Sequence, residues 1–190
     1  SGCTSLKEVV LPDSIVELGN TAFKNCVSLE NIDLSGIREI GNNTFEGCTS
    51  LASVDLSSVN TIGNYAFKGC TALTEVYIPD SVVDMGTSVF LDCDNLQSLT
   101  VSDGNSAYRL GSAGELLNYD GTQILYVPAS ATGEYVIEQG MTAGDYAFAG
   151  TGVTKVVIPN SMTVIPVGMF ANCASLTEVT FGENGSSTLS

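Results

Sequence analysis

The sequence predicts a solenoid, in which short parallel strands stack coil upon coil with turns between them. Three observations predict it. The pentapeptide "GCTSL" at 2–6 returns letter for letter at 47–51, with near-copies at 25–29, 69–73 and 172–176. Cys3, Cys26, Cys48, Cys70 and Cys93 follow one another at intervals of 23, 22, 22 and 23 residues, and Cys173 stands in the same context farther on. Each is followed three residues later by a leucine (Leu6, Leu29, Leu51, Leu73, Leu96, Leu176) and, where the chain reaches back far enough, preceded by Phe23, Phe45, Phe67, Phe90 or Phe170. A period of 22–23 residues is too short to bury its own apolar side, so its copies must bury it against one another.

Each element of the period has a local cause. The alternating pairs Val9/Leu11, Ile32/Leu34, Val54/Leu56, Val76/Ile78, Leu99/Val101, Val156/Ile158 and Val179/Phe181 are short strands with one face inward. Pro12, Pro79 and Pro159 end them, because proline cannot donate to a ladder. An Ile-x-x-Ile-Gly phrase follows, as at 37–41. Its glycines (Gly19, Gly41, Gly63, Gly86, Gly144) read as turn points before segments such as Asn64-Tyr65-Ala66-Phe67, which are expected to form a 3₁₀ or helical turn. Phe148 opens one further copy, in which Thr151 takes the place of the cysteine.

The phrase Cys-x-x-Leu-x-x-Val-x-Leu-Pro-x-Ser-Ile-x-x-Ile-Gly-x-x-Ala-Phe resembles the BspA-like leucine-rich repeat, also called the Treponema pallidum-type repeat, over 3–101 and 143–181. The resemblance implies a leucine-rich-repeat solenoid of α/β type, a right-handed superhelix of mostly short parallel β-strands with turns and short 3₁₀ or helical segments. It also implies a place in large secreted or surface-anchored microbial proteins, some of which are implicated in adhesion. One domain is expected over 1–190: regular repeats at 1–101, an atypical repeat with a β-hairpin insertion at 102–142, and regular repeats to the end at 143–190. In the middle stretch, apolar runs flank the turn signal Asp120-Gly121. They place strands at 125–127 and 135–137, with an antiparallel partner at 116–119.

The cysteines decide what chemistry is open. Zinc sites pair ligands two to four residues apart, whereas here no two cysteines are closer than 22 residues and histidine is absent. A thiolate nucleophile needs a base or an electropositive setting, and six copies of one nucleophile make little sense. Stacked coils about 4.8 Å apart bring column cysteines within bridging range, but their Cβ vectors run parallel instead of converging. Buried free thiols acting as small apolar plugs are the expected reading, and Thr151 in the same column fits it.

With no histidine and only six scattered cations (Lys7, Lys24, Arg38, Lys68, Arg109, Lys155), no acid–base or nucleophilic site is expected and the chain is read as non-enzymatic. No cofactor and no resident metal are expected. The 21 acidic against six basic residues give a net charge of −15, which argues against nucleic acid and anionic membrane surfaces. No apolar run is long enough to span a bilayer. The chain opens at Ser1-Gly2 inside a repeat, which reads as a processed or truncated chain whose targeting segment lies elsewhere.

The outward strand positions are the candidate partner surface: Glu8, Val10, Asn31, Asp33, Ser53, Asp55, Glu75, Tyr77, Ser98, Thr100, Lys155, Val157, Glu178 and Thr180. Asp33 and Asp55, flanked by Glu8 and Glu75, would suit Ca²⁺ or form a solvated acidic face, the second being the expected state. Asn42-Asn43-Thr44 and Asn184-Gly185-Ser186 fit the glycosylation sequon, without consequence in a bacterial protein. The expected function is binding of a protein ligand, a host extracellular or microbial surface protein, through the concave sheet of a secreted or cell-surface protein, by a chain expected to be monomeric. The alternatives are a stalk that displays another domain and, last, carbohydrate binding, for which Tyr77 is the single aromatic at these positions.

Overall fold

The computed structural model describes residues 1–182, and they form stacked coils whose period matches the sequence repeat. In the first columns, β1 (Glu8–Val9) pairs in parallel with β3 (Asn31–Ile32), and β6 (Glu75–Ile78) with β8 (Ser98–Val101). Between these pairs, Val54 and Leu56 keep the alternating pattern but no strand forms there, so the face is one column carried by two short ladders.

A second parallel sheet was not anticipated. The Ile-x-x-Ile-Gly phrases themselves form β2 (Glu17–Leu18), β4 (Glu39–Ile40), β5 (Thr61–Ile62) and β7 (Asp84–Met85), in register through Leu18, Ile40, Ile62 and Met85. Two apolar residues three apart carry no alternation that would mark a strand in sequence. In space each delivers only a two-residue strand before the chain bends.

The expected helical turns are absent. No helix of any kind occurs among the described residues, and a run of turns stands at each "AF" segment. Left-handed backbone is the reason. Thr21, Asn43, Tyr65, Ser88 and Tyr146 have φ between 53° and 58°, and a second left-handed residue follows at Asn25, Gly47, Gly69, Asp92 and Gly150. A left-handed residue cannot propagate a right-handed helix. It turns the peptide groups sideways, and they bond to the next coil instead: Asn43 N–H to Asn64 O at 2.9 Å, Phe45 N–H to Ala66 O at 2.8 Å, Gly47 N–H to Lys68 O at 2.7 Å. The α/β description is thereby corrected to an all-β solenoid with turns.

The column glycines also differ from expectation. Gly41, Gly63 and Gly86 do not use positive φ; a Cβ there would stand 2.3–2.8 Å from atoms of the Asn20, Asn42 and Asn64 positions of the preceding coil. Glycine is required for close approach. The side chains it approaches form a ladder, in which Asn20 Oδ1 accepts Asn42 N–H, Asn42 Oδ1 accepts Asn64 N–H and Asn64 Oδ1 accepts Thr87 N–H, each at 2.7 Å.

Inside, the phenyl rings stack in near-parallel planes. Phe23, Phe45, Phe67 and Phe90 have successive centroid separations of 5.6, 5.3 and 5.9 Å, and Tyr126 closes the row edge-on to Phe90 at 6.0 Å. The cysteines are all free thiols; Cys26, Cys48, Cys70 and Cys93 are buried, Cys173 is half-buried and Cys3 is exposed. Four of them make a directed bond to a carbonyl. Cys48 donates to Phe23 O, Cys70 to Phe45 O, Cys93 to Phe67 O and Cys173 to Phe148 O, at 3.0–3.2 Å across one coil. Thr151 Oγ1 bonds within its own coil, to the same Phe148 O at 2.8 Å.

The middle stretch is a three-stranded antiparallel meander: β9 (Tyr108–Leu110), β10 (Leu116–Asn118) and β11 (Gln123–Tyr126). The hairpin at Gly121 (φ 72°) is as expected, β11 begins two residues earlier than read, and β9 was not foreseen. Buried Asn105 anchors its entry, donating to Pro79 O and Val82 O and accepting Ala107 and Tyr108 N–H at 2.8 Å each. Tyr108 then ends the second sheet, its hydroxyl accepting the Met85 N–H at 2.6 Å.

Beyond the meander the coils resume. The second expected strand is β12 (Thr132–Val136), which joins β14 (Gly152–Ile158) and β15 (Glu178–Phe181), whereas β11 pairs with β13 (Thr142–Ala143), so the two strands lie in different sheets. Val127 N–H bonds to Ala147 O as Phe45 N–H does to Ala66 O, so Val127 holds the phenylalanine place in a disguised repeat. Two apolar cores result, one from Leu18 to Leu116 and one from Leu117 to Met169, which meet at consecutive residues of β10.

Candidate functional site

The strand column places most of the expected surface residues in water. Glu8, Val10, Asn31, Asp33, Ser53, Asp55, Glu75, Tyr77, Ser98, Thr100 and Glu178 are exposed. Register sets their neighbours: Glu8 lies beside Asn31, Glu75 beside Ser98, and Tyr77 beside Thr100. Tyr77 is 54% exposed on a strand whose Val76 and Ile78 are buried, so its ring stands on a rigid base.

Two positions depart from the expectation. Val157 is 1% exposed: it sits on the central strand β14, between Val136 and Thr180, and offers nothing to a partner. Lys155 is half-buried and already engaged, with Glu134 and Glu178 in register on either side and both carboxylates 3.7 Å away. Thr180 is likewise half-buried.

The acidic pair has local work. Asp33 Oδ1 accepts Ser35 N–H and Asp55 Oδ1 accepts Ser57 N–H, each at 2.9 Å, closing the turn after the strand position. The Ser35 bonds, backbone first, hold the Asp33 carboxyl below its ordinary pKa. Among the described residues no three acidic or thiol groups converge, and nothing in the geometry favours Ca²⁺ over solvent. The sequon at 42–44 has a structural explanation: Thr44 is fully buried and its hydroxyl bonds to Gly41 O at 2.8 Å. The sequon at 184–186 lies outside the described residues.

The period, the cysteine–leucine columns and the two strands per coil are those of one repeat type. The model of the BspA type leucine rich repeat region matches in six copies, over residues 1–109 and 141–189. The chain belongs to this family. Three solved structures show the fold it shares. A leucine rich cell surface protein of Faecalibacterium prausnitzii is 24% identical, with TM-score 0.69 over 95% of this chain and 56% of that one. The pneumococcal vaccine antigen PcpA is 20% identical, with TM-score 0.72 over 92% and 50%. The T. pallidum leucine rich repeat protein is 27% identical, with TM-score 0.51 over 95% and 62%. The chain thus spans between half and about three fifths of these relatives' length. Among curated proteins none matches the sequence.

The unmatched stretch between the two family segments, 110–140, is most of the meander and its return. It carries surface residues outside the expected set. Glu134 and Val136 continue the outward column beside Lys155 and Val157, and Val136 is 46% exposed. Tyr119 lines an open hollow with Val101, Ser102, Asn105 and Arg109 of the preceding segment, at the end of β8, and is 57% exposed. Insertion of β9 and β10 shifts the count of residues, which hides their place from any periodic reading.

No helix among the described residues is long and apolar enough to cross a membrane. Three interior thiols are held protonated: burial first raises Cys48 to about 11 and Cys93 to about 12, and moves Cys70 further in the same direction. They are poor nucleophiles, because thiolate is the reactive form.

Proposed function

We propose that this chain is a non-enzymatic protein-binding module of a secreted or cell-surface microbial protein, which engages a host or microbial surface protein through the outward strand column. The observation that carries the reading is the row Glu75, Tyr77, Ser98 and Thr100. It is an exposed patch with one aromatic anchor, set on strands whose alternate residues are locked in the core. Tyrosine on a rigid support is a typical anchor of protein interfaces, with little side-chain entropy to lose. Membership in a repeat family, and likeness in fold to a cell surface protein and a vaccine antigen, support the location.

The acidic balance favours a basic partner, since Lys7, Lys24, Lys68 and Lys155 each already face a carboxylate of the same chain within 4.0 Å. The test is biosensor binding to a panel of extracellular-matrix and microbial surface proteins. Tyr77→Ala should weaken the hit about tenfold or more, as for a truncated anchor. Asp55→Asn, which keeps the acceptor for Ser57, should reduce the on-rate and its salt dependence. A chain that binds nothing, or binds unchanged when Tyr77, Ser98 and Thr100 are all replaced, is a stalk.

A further inference from the structure

The meander and its return line an open cavity of about 330 Å³, bounded by Arg109, Gly111, Glu115, Leu117, Tyr135 and Glu138 among others. That size lies at the lower end for small-ligand pockets. Its distinguishing group is Glu115, a carboxylate only 6% exposed. Oε2 accepts the Ala113 N–H at 2.8 Å, and the Tyr135 hydroxyl faces the same group. Among the described residues no ammonium or guanidinium lies within 4.0 Å of it, Arg109 included.

An ionised carboxylate removed from water is costly unless a counter-charge meets it. Arg109 is exposed, its guanidinium lying against Gly121, so its charge makes no comparable demand. The two signs on the wall are therefore unequal in consequence: Glu115 and the exposed rim residue Glu138 outweigh Arg109, and the deficit sits where water is scarcest. Leu117, Val136 and Met141 supply apolar wall beside it, suited to a methylene stem.

We propose that this cavity is a binding site for an alkylammonium or alkylguanidinium group, carried by a lysine or arginine side chain of a partner or by a free amine. It is separate from the strand column, and its test needs no protein ligand, so either reading can fail alone. The probes are Nα-acetyl-lysine methylamide, Nα-acetyl-arginine methylamide and putrescine, with Nα-acetyl-glutamine methylamide as the neutral control. They are titrated into the whole ¹⁵N-labelled chain. Saturable shifts are expected at the amides of Gly111, Ala113, Glu115 and Val136 with the cations and not with the control. Binding of the blocked amino acids above putrescine assigns a side-chain ligand, and the reverse assigns a free amine. Glu115→Gln should raise Kd about tenfold or more. Glu138→Gln, on the exposed rim where folding is not at stake, should raise it about twofold to fivefold. No saturable shift with any cation, equal shifts with the neutral control, or affinity unchanged in both variants would overturn the proposal.

Discussion

Gly63 and Gly19 occupy the same column of the repeat, yet the structure assigns opposite signs to their replacement by alanine. At Gly63 a Cβ would lie 2.6 Å from Asn42 N and from Gly41 C, both backbone atoms of the preceding coil. Ordinary contact begins near 3.4 Å, so two coils must separate by about 0.8 Å at that point. Two bonds cross there, Gly63 N–H to Ile40 O and Asn64 N–H to Asn42 Oδ1, both at 2.7 Å, and both must lengthen. Overpacking of this kind costs about 1–3 kcal/mol, and each weakened bond a fraction of about 1 kcal/mol, giving roughly 2–4 kcal/mol in all. At Gly19, in the first coil, nothing lies within 4 Å of the added carbon and φ is not left-handed. There alanine restricts only the unfolded chain, a gain of about 0.4–1 kcal/mol. A change of 1 kcal/mol moves Tm by about 2–4 °C at this size. Gly63→Ala should therefore melt roughly 5–15 °C below the parent and Gly19→Ala at or slightly above it, read by circular dichroism with urea midpoints as a check. Equal shifts for the two variants would refute close approach as the reason for glycine in this column.

Other outcomes follow from the same interior. Titration with a thiol reagent at neutral pH should modify Cys3 rapidly and Cys173 more slowly, while Cys26, Cys48, Cys70 and Cys93 react only on unfolding; fast modification of all six would refute the buried column. The thiol pKa values of Cys48 and Cys93 are raised in the folded chain, so below the unfolded thiol pKa both states are protonated and stability is independent of these groups. Above it the unfolded chain releases protons that the folded one keeps, and stability should fall from about pH 9 until about pH 12. Cys48→Ser and Cys93→Ser together should lessen that decline but not remove it, because Cys70, Tyr108, Tyr126 and Tyr135 are raised in the same direction. Cys70→Ser, which keeps a donor for Phe45 O, should cost less than Cys70→Val, which leaves that bond unmade, with the order read from urea midpoints.

Much of the fold was legible because stacking makes each coil repeat the same contacts. The phenylalanine and leucine positions face their own copies, so the spacing of one letter reports a spatial column, and the cysteines were read as plugs on that ground. What the letters could not report is direction. The thiol-to-carbonyl bond across a coil needs the carbonyl of a phenylalanine 25 or 26 residues earlier, which composition does not show. The same limit hid the left-handed residues: asparagine at 43 tolerates that backbone, but Thr21, Tyr65 and Tyr146 carry no such mark. The second sheet was missed because strands of two residues have no room to alternate. The candidate surface was legible where β6 and β8 run regularly and failed at Val157, whose burial depends on its neighbours across the sheet.

The same reasoning explains why the meander is where a new property can arise. In a regular coil every polar group has a counterpart one period away, so an asparagine meets an asparagine and a carbonyl meets a thiol. A group placed by insertion has no such copy. Asn105 finds its partners by reaching two carbonyls of the coil before it, and Tyr108 finds its own at the Met85 amide, so both are satisfied locally. Glu115 finds one amide, the facing Tyr135 hydroxyl and an open cavity instead of a cation. The carboxyl group stands beside β10, where the two cores meet at Leu116 and Leu117, and its amide analogue would keep the same shape and the same acceptor. Replacing Glu115 by glutamine, which keeps an acceptor for Ala113 N–H, should therefore leave the melting of the array nearly unchanged or raise it, while weakening the binding of the cationic probes.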